Sequence, residues 1–139
     1  ALSCLPPSVA RSYSEAAASN DRFLVLKGKV TFDESKLPKS NLESQSAPKW
    51  TTIAARLTGH QLGVNGFNAV FDESIMYDVR CLGVWCGSGK SGEEIVAFVQ
   101  LTDLGYSLEI GPCGGRSFPA TPANVGVVKA CHTSGKCGS

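Results

Sequence analysis

Apolar positions recur at every second residue over much of the chain, the period of a strand with two distinct faces. From Arg22 to Phe32, Phe23, Val25, Lys27 and Lys29 fall on one face and Leu24, Leu26 and Val30 on the other, which predicts a first strand. Gly28 inside it predicts a bulge or sharp bend of the kind a small barrel requires. Trp50 to Thr58 predicts a second strand. A third is expected from Val70-Phe71 and from Ile75, Tyr77 and Val79, interrupted near Asp72-Glu73-Ser74. Glu94 to Leu101 is an apolar run of strand length, expected to be buried on both faces. Gly105 to Ile110 places Tyr106, Leu108 and Ile110 in alternation and predicts a fifth strand after a turn at Asp103-Leu104-Gly105.

The segments between these strands read differently. Pro6 and Pro7 keep the N-terminus extended. Ser8 is a suitable N-cap for a helix from Val9 to Ser19, in which Ala16, Ala17 and Ala18 favour the helical state. Residues 33–49 are polar, contain Pro38 and Pro48, and predict a long loop. Gly59 to Asn68 holds three glycines and reads as a turn-rich connection. After Cys113 the chain is rich in Gly, Pro, Ser and Thr, so residues 119–139 are expected to form an irregular tail, with a short strand or helical turn at Val125 to Ala130. Five strands, a helix and one long loop in a single domain of residues 1–139 predict a mainly β fold, a closed or nearly closed Greek-key barrel.

The cysteines add the compartment. Six are present (Cys4, Cys81, Cys86, Cys113, Cys131 and Cys137), beside one methionine and two histidines. An even count with few soft-metal partners predicts disulfides, and hence an extracytoplasmic, periplasmic or secreted protein. Cys81 and Cys86, with Cys131, His132 and Cys137, form the rival zinc reading, at a spacing loose for a structural site. No apolar run approaches the ~20 residues that span a membrane. An export leader is expected to have been removed, and Ala1-Leu2-Ser3-Cys4 reads as a degraded lipidation signal with Leu2 out of place. Net charge is +1, with Lys and Arg scattered singly, which argues against nucleic acid or an anionic membrane as partner.

Candidate chemistry is sparse. Gly87-Ser88-Gly89-Lys90-Ser91 imitates a phosphate loop, but Val84 stands where the first glycine is needed and a strand follows in place of a helix. A hairpin turn is the expectation there. Phe32-Asp33-Glu34-Ser35 recurs as Phe71-Asp72-Glu73-Ser74, and exposed strand-end turns are expected rather than calcium sites. Neither His60 nor His132 has a nucleophile and an orienting third group in view. No catalytic residue, metal or cofactor is assigned, and the chain is not expected to be an enzyme.

Three segments taken in order carry a resemblance. Cys4-Leu5-Pro6-Pro7, then Val84-Trp85-Cys86-Gly87, then Leu108, Ile110 and Cys113 followed by Phe118 resemble the netrin-like module, above all the N-terminal domain of the tissue inhibitors of metalloproteinases. The likeness spans residues 4–118. It implies a five-stranded OB-type Greek-key barrel, with the N-terminal segment strapped across one end by disulfides. It also implies pairing of Cys4 with Cys113. The family's first cysteine falls at Leu2, so Cys86 loses its expected partner; Cys81 is the nearest replacement, leaving Cys131 with Cys137. Pairing of Cys81 or Cys86 with a tail cysteine is the alternative.

In that family the first cysteine's amine and carbonyl chelate the protease zinc, and here Leu2 stands in its place. The resemblance therefore implies a protein-binding module, a relative of protease inhibitors whose zinc-chelating start is lost. Its binding ridge would be Ala1, Leu2, Ser3, Cys4 and Leu5 beside Trp85, with a metalloprotease as candidate partner. The alternative is a structural or assembly domain of the cell envelope, without inhibitory activity, in which Trp50, Trp85 and Phe118 are core.

Overall fold

The computed structural model describes residues 4–38 and 49–135; Ala1, Leu2, Ser3, residues 39–48 of the polar loop and Cys137 lie outside them. Helix α1 (Val9–Ala18) starts where Ser8 accepts a hydrogen bond from Arg11 N at 3.3 Å. The strands that follow are β1 (Arg22–Phe32), β2 (Trp50–Gly63), β3 (Gly66–Leu82), the two-residue β4 (Trp85–Cys86), β5 (Glu94–Thr102), β6 (Gly105–Ile110) and β7 (Ser117–Pro119). Helix α2 (Pro122–Ser134) ends the described chain. Neither helix is long and apolar enough to cross a membrane.

Five strands close on themselves in the order β1-β2-β3-β6-β5, with β5 pairing back to β1. Only the β3–β6 pair in this ring is parallel. Closure depends on β1, whose residues Leu26 to Lys29 are bonded to β2 on one side and to β5 on the other. Inside the ring, Leu26, Val30, Ile53, Leu57, Val79, Val99 and Leu108 are buried against one another. A second core lies outside it, where α1, α2 and β7 set Val9, Val128 and Phe118 against Val96 and Phe98 of β5. Val96, Ala97, Phe98 and Val99 are each 0 % exposed, so β5 is buried on both faces. Burial of each such side chain contributes about 1.5–3 kcal/mol.

Several expectations are corrected. Gly59 to Asn68 is not a loop: β2 runs to Gly63 and β3 starts at Gly66, leaving only Val64-Asn65 as the turn. Asp72-Glu73-Ser74 does not interrupt β3, because those residues pair with Thr58, Leu57 and Arg56 of β2. Gly28 is not a bulge, since the register passes through it unbroken on both sides. The slip lies instead between Gln61 and Leu62 of β2. Beside it, Leu62 packs in the outer core.

The tail is not irregular either. Thr121 accepts from Asn124 N at 3.1 Å, Pro122 occupies the first helical turn, and Gly135 ends α2 in the left-handed conformation at φ 71°. These are ordinary start and stop signals. The helix is retained because Val128 is buried with Val9 of α1 and with Val96 and Phe98 of β5, and Cys131 is buried as well.

Candidate functional site

The bridges define one end of the ring. Cys4 is bonded to Cys113, just beyond β6, and Cys81 to Cys86 across the narrow β3–β4 hairpin. Cys131 is also disulfide-bonded. With Cys81 and Cys86 consumed in a bridge, the zinc reading of that pair falls. Among the described residues no three His, Cys, Asp or Glu side chains gather as metal ligands.

Residues 4–7 form a strap tied beside the segment that follows β6, held at several points. The disulfide fixes Cys4. Arg11 Nη2 donates to Pro6 O at 2.7 Å, and Pro7 lies against Gly114, where an added Cβ would meet Pro7 Cγ at 3.6 Å. Between these anchors Leu5 projects into solvent, 78 % exposed. At the same end, Gly87 N donates to Arg80 O at 3.0 Å and the backbone of Gly87 packs against that of Ile110. This places the Leu82–Trp85 hairpin, with both of those side chains 36 % exposed, beside the end of β6. Of the predicted ridge, Cys4, Leu5 and Trp85 therefore share one end of the ring, while Ala1, Leu2 and Ser3 lie outside the described residues.

A cavity of about 230 Å³ is bordered by Tyr77, Gly89, Ile110, Gly114, Arg116 and Phe118. Tyr77 supplies its buried floor, with Phe32 stacked on the ring at 4.2 Å. Burial pushes the Tyr77 phenol up to about 12, and the charges of Glu93 and Glu34 add to the effect. The glycine- and serine-rich segment that imitates a phosphate loop leads into β5, not a helix. Ser91 N is occupied by Glu34 Oε2 at 2.9 Å, and Ser91 Oγ accepts from Phe32 N at 2.9 Å. A carboxylate already holds the amide that a phosphate would need.

The repeated Phe-Asp-Glu-Ser sequence has two different fates. At its first occurrence Asp33 caps a short 3-10 turn, Glu34–Lys36, just after β1. At the second, Asp72 lies within β3, where Arg56 Nε donates to it at 2.7 Å and Thr58 Oγ1 at 3.1 Å. These donors hold the Asp72 carboxyl below the usual carboxylate range.

The alternative reading places Trp50 and Trp85 in the core, and neither is there. Trp50 is 47 % and Trp85 36 % exposed, whereas Phe118 is buried as expected. Trp50 borders a groove of about 340 Å³ on the outer face of β2, β3, β6 and β5, with Thr52, Asp78, Gln100, Ser107 and Glu109. Sequence reasoning missed this cluster. Its only signal is the every-second-residue spacing of Trp50 with Thr52 and of Ser107 with Glu109, which does not reveal that β3 lies between them. Comparison with known proteins returns no match, whether with family models, curated proteins or solved structures.

Proposed function

We propose that this chain is an extracytoplasmic protein-binding module that engages its partner through the strap at residues 4–7 and the Leu82–Trp85 hairpin. The observation that carries the reading is Leu5, a large apolar side chain left 78 % in water between a disulfide and an arginine-held carbonyl. An apolar anchor fixed in advance loses little conformational freedom on association, so more of its burial is retained as affinity. Trp85, at the same end of the ring, is of a type that dominates binding surfaces.

Reading the ring as an OB-type Greek-key barrel is supported by its closed pairing order and by the single parallel pair, β3–β6. That reading, the Cys4–Cys113 bridge and the strap favour a relative of the netrin-like module and the tissue inhibitors of metalloproteinases. Extracytoplasmic placement is supported by the disulfides. With Leu2 at the position of the family's chelating cysteine, the contact proposed here is apolar and does not depend on holding the protease zinc.

The test is surface-plasmon binding to a panel of zinc-metalloprotease catalytic domains, alongside inhibition assays. Saturable binding to a protease, weakened more than about tenfold by Leu5→Asp and unchanged by Val70→Asp on the distant β2–β3 hairpin, supports the proposal. A natively folded protein that binds no member of the panel refutes the metalloprotease assignment and leaves the structural, non-inhibitory domain.

A further inference from the structure

We propose a second binding site, independent of the strap: the groove on the outer face of β2, β3, β6 and β5 takes a neutral saccharide, with Trp50 as stacking platform and Asp78 as central acceptor.

Strand register builds the site. Trp50 pairs with Arg80 and Thr52 with Asp78 across β2 and β3. Asp78 pairs with Glu109 across the parallel β3–β6 edge, and Ser107 pairs with Gln100 across β6 and β5. Their neighbours Ile53, Tyr77, Val79, Leu108 and Val99 fill the inner core, so the polar set is directed outward by the strand alternation. Further along β5 the outer face is covered, since Phe98, two residues before Gln100, is sealed in the second core.

The chemistry of the groove is specific. Trp50 presents an indole 47 % exposed, with the Arg80 guanidinium 5.7 Å from the ring centroid. Arg80 Nη1 is turned towards Glu109 Oε1, 3.8 Å away. Both oxygens of Asp78 are engaged, one by Thr52 Oγ1 at 2.6 Å and the other by Ser107 Oγ. Those bonds fix the carboxylate between the two hydroxyls while leaving each carboxylate oxygen a further lone pair. Gln100 adds an amide that both donates and accepts. A pyranose matches this arrangement, with a C–H face for the indole and a rim of hydroxyls that donate and accept together. The groove, about 340 Å³, is at the lower end of ligand-site volumes and suits a short stretch of sugar rings.

Charge narrows the class. Asp78 and Glu109 outnumber Arg80, so a phosphate or sulfated ligand would meet a net negative surface. The carboxylate is already satisfied by two hydroxyl donors, which makes it a weaker lure for a lone cation than an unpaired one. Neutral hexose chains remain the best match for the combined aromatic and hydroxyl-directed geometry.

The experiment is an amide and indole NMR titration of the intact protein with cellotriose, chitotriose and maltotriose. Saturable millimolar shifts are expected for at least one sugar, centred on the Trp50 indole N–H and on the backbone of Asp78 and Ser107. Trp50→Ala should weaken binding more than about tenfold, and Gln100→Ala severalfold, with Trp85→Ala without effect. Because Trp50 is outside both cores, its variant should keep the native spectrum; Gln100→Ala provides the test if it does not. Absence of shifts with all three sugars overturns the proposal, as does undiminished binding by Trp50→Ala. Shifts confined to the strap or to the cavity beside Tyr77 also overturn it, as does a groove that ignores sugars but binds a trilysine peptide.

Discussion

Gly28 of β1 and Gly59 of β2 face each other across the β1–β2 pair, so closely that neither position has room for a side chain. A Cβ on Gly28 would lie 2.8 Å from Gly59 Cα, and one on Gly59 would lie 2.6 Å from Gly28 Cα. Since Gly28 is also paired with Ile95 of β5, the contact sits where β1 is shared between two neighbours.

A methyl group at either position must therefore push β1 and β2 apart. Gly28→Ala and Gly59→Ala are each expected to destabilise the fold by about 3 kcal/mol, lowering the melting temperature by roughly 10 °C. Thermal unfolding followed by circular dichroism would measure this. A loss below about 0.5 kcal/mol would mean that the close approach does not hold the ring shut.

The two described disulfides close very different loops, with sequence separations of 109 for Cys4–Cys113 and 5 for Cys81–Cys86. In the chain-entropy account the first contributes about 5 kcal/mol and the second about 2. Urea midpoints of the Cys4→Ala/Cys113→Ala and Cys81→Ala/Cys86→Ala double variants should fall in that order. The reverse order would assign the stabilisation to local contacts rather than to loop closure.

Tyr77 makes stability depend on alkaline pH. Its phenol is raised from 10.0 to about 12 by burial, with Glu93 and Glu34 adding to the rise. The folded state thus holds the proton more tightly than the unfolded chain. This contribution is intact below pH 10.0 and is lost as pH rises towards about 12, by roughly 2 kcal/mol in all. Burial raises Tyr13 as well, so phenolate absorbance should show Tyr77 as the last step, near pH 12, and Tyr77→Phe should remove that step together with its share of the alkaline stability loss. A late step that survives the substitution would assign it to a different tyrosine.

Adjacent valines test the C-terminal helix. Val128 is 0 % exposed beneath α2, and Val127 is 39 % exposed on its other side. Val128→Ala should cost about 2 kcal/mol and Val127→Ala less than about 0.5, read as equilibrium unfolding free energies. Equal effects would be inconsistent with a helix docked on one face.

The legible parts of the fold were those set by local alternation. Arg22 to Phe32 and Gly105 to Ile110 have the strand bounds that their residue pattern predicts. Within the predicted strand Glu94 to Leu101, Val96 to Val99 are covered on both faces, as an apolar run without a polar face requires. The strap was legible in a different way: pairing Cys4 with Cys113 came from a resemblance, because spacing alone leaves the partners of six cysteines open.

Other segments misled for identifiable reasons. Glycines at 59, 63 and 66 read as a turn because local propensity treats glycine as a breaker, yet Gly59 is needed where two strands touch. Asp72 looked like a strand end until Arg56 and Thr58 supplied its partners from β2. Thr121, Pro122 and Gly135 bracket α2 with normal capping signals, but Gly126 and the β-branched Val125, Val127 and Val128 between them disfavour the helical state. That helix depends on burial of Val128 and Cys131 against other elements.

By itself, then, the sequence determined a mainly β chain with an N-terminal helix, an oxidised cysteine framework and a strand buried on both faces. Each follows from nearest-neighbour period, cap residues or composition, which act over a few positions. Tertiary structure alone decided that β1 closes on β5, that Trp50 and Trp85 face water, and that Thr52, Asp78, Ser107 and Gln100 share one groove. Alternation gives each strand two faces, but which face is covered, and by what, depends on pairings between residues far apart in the chain.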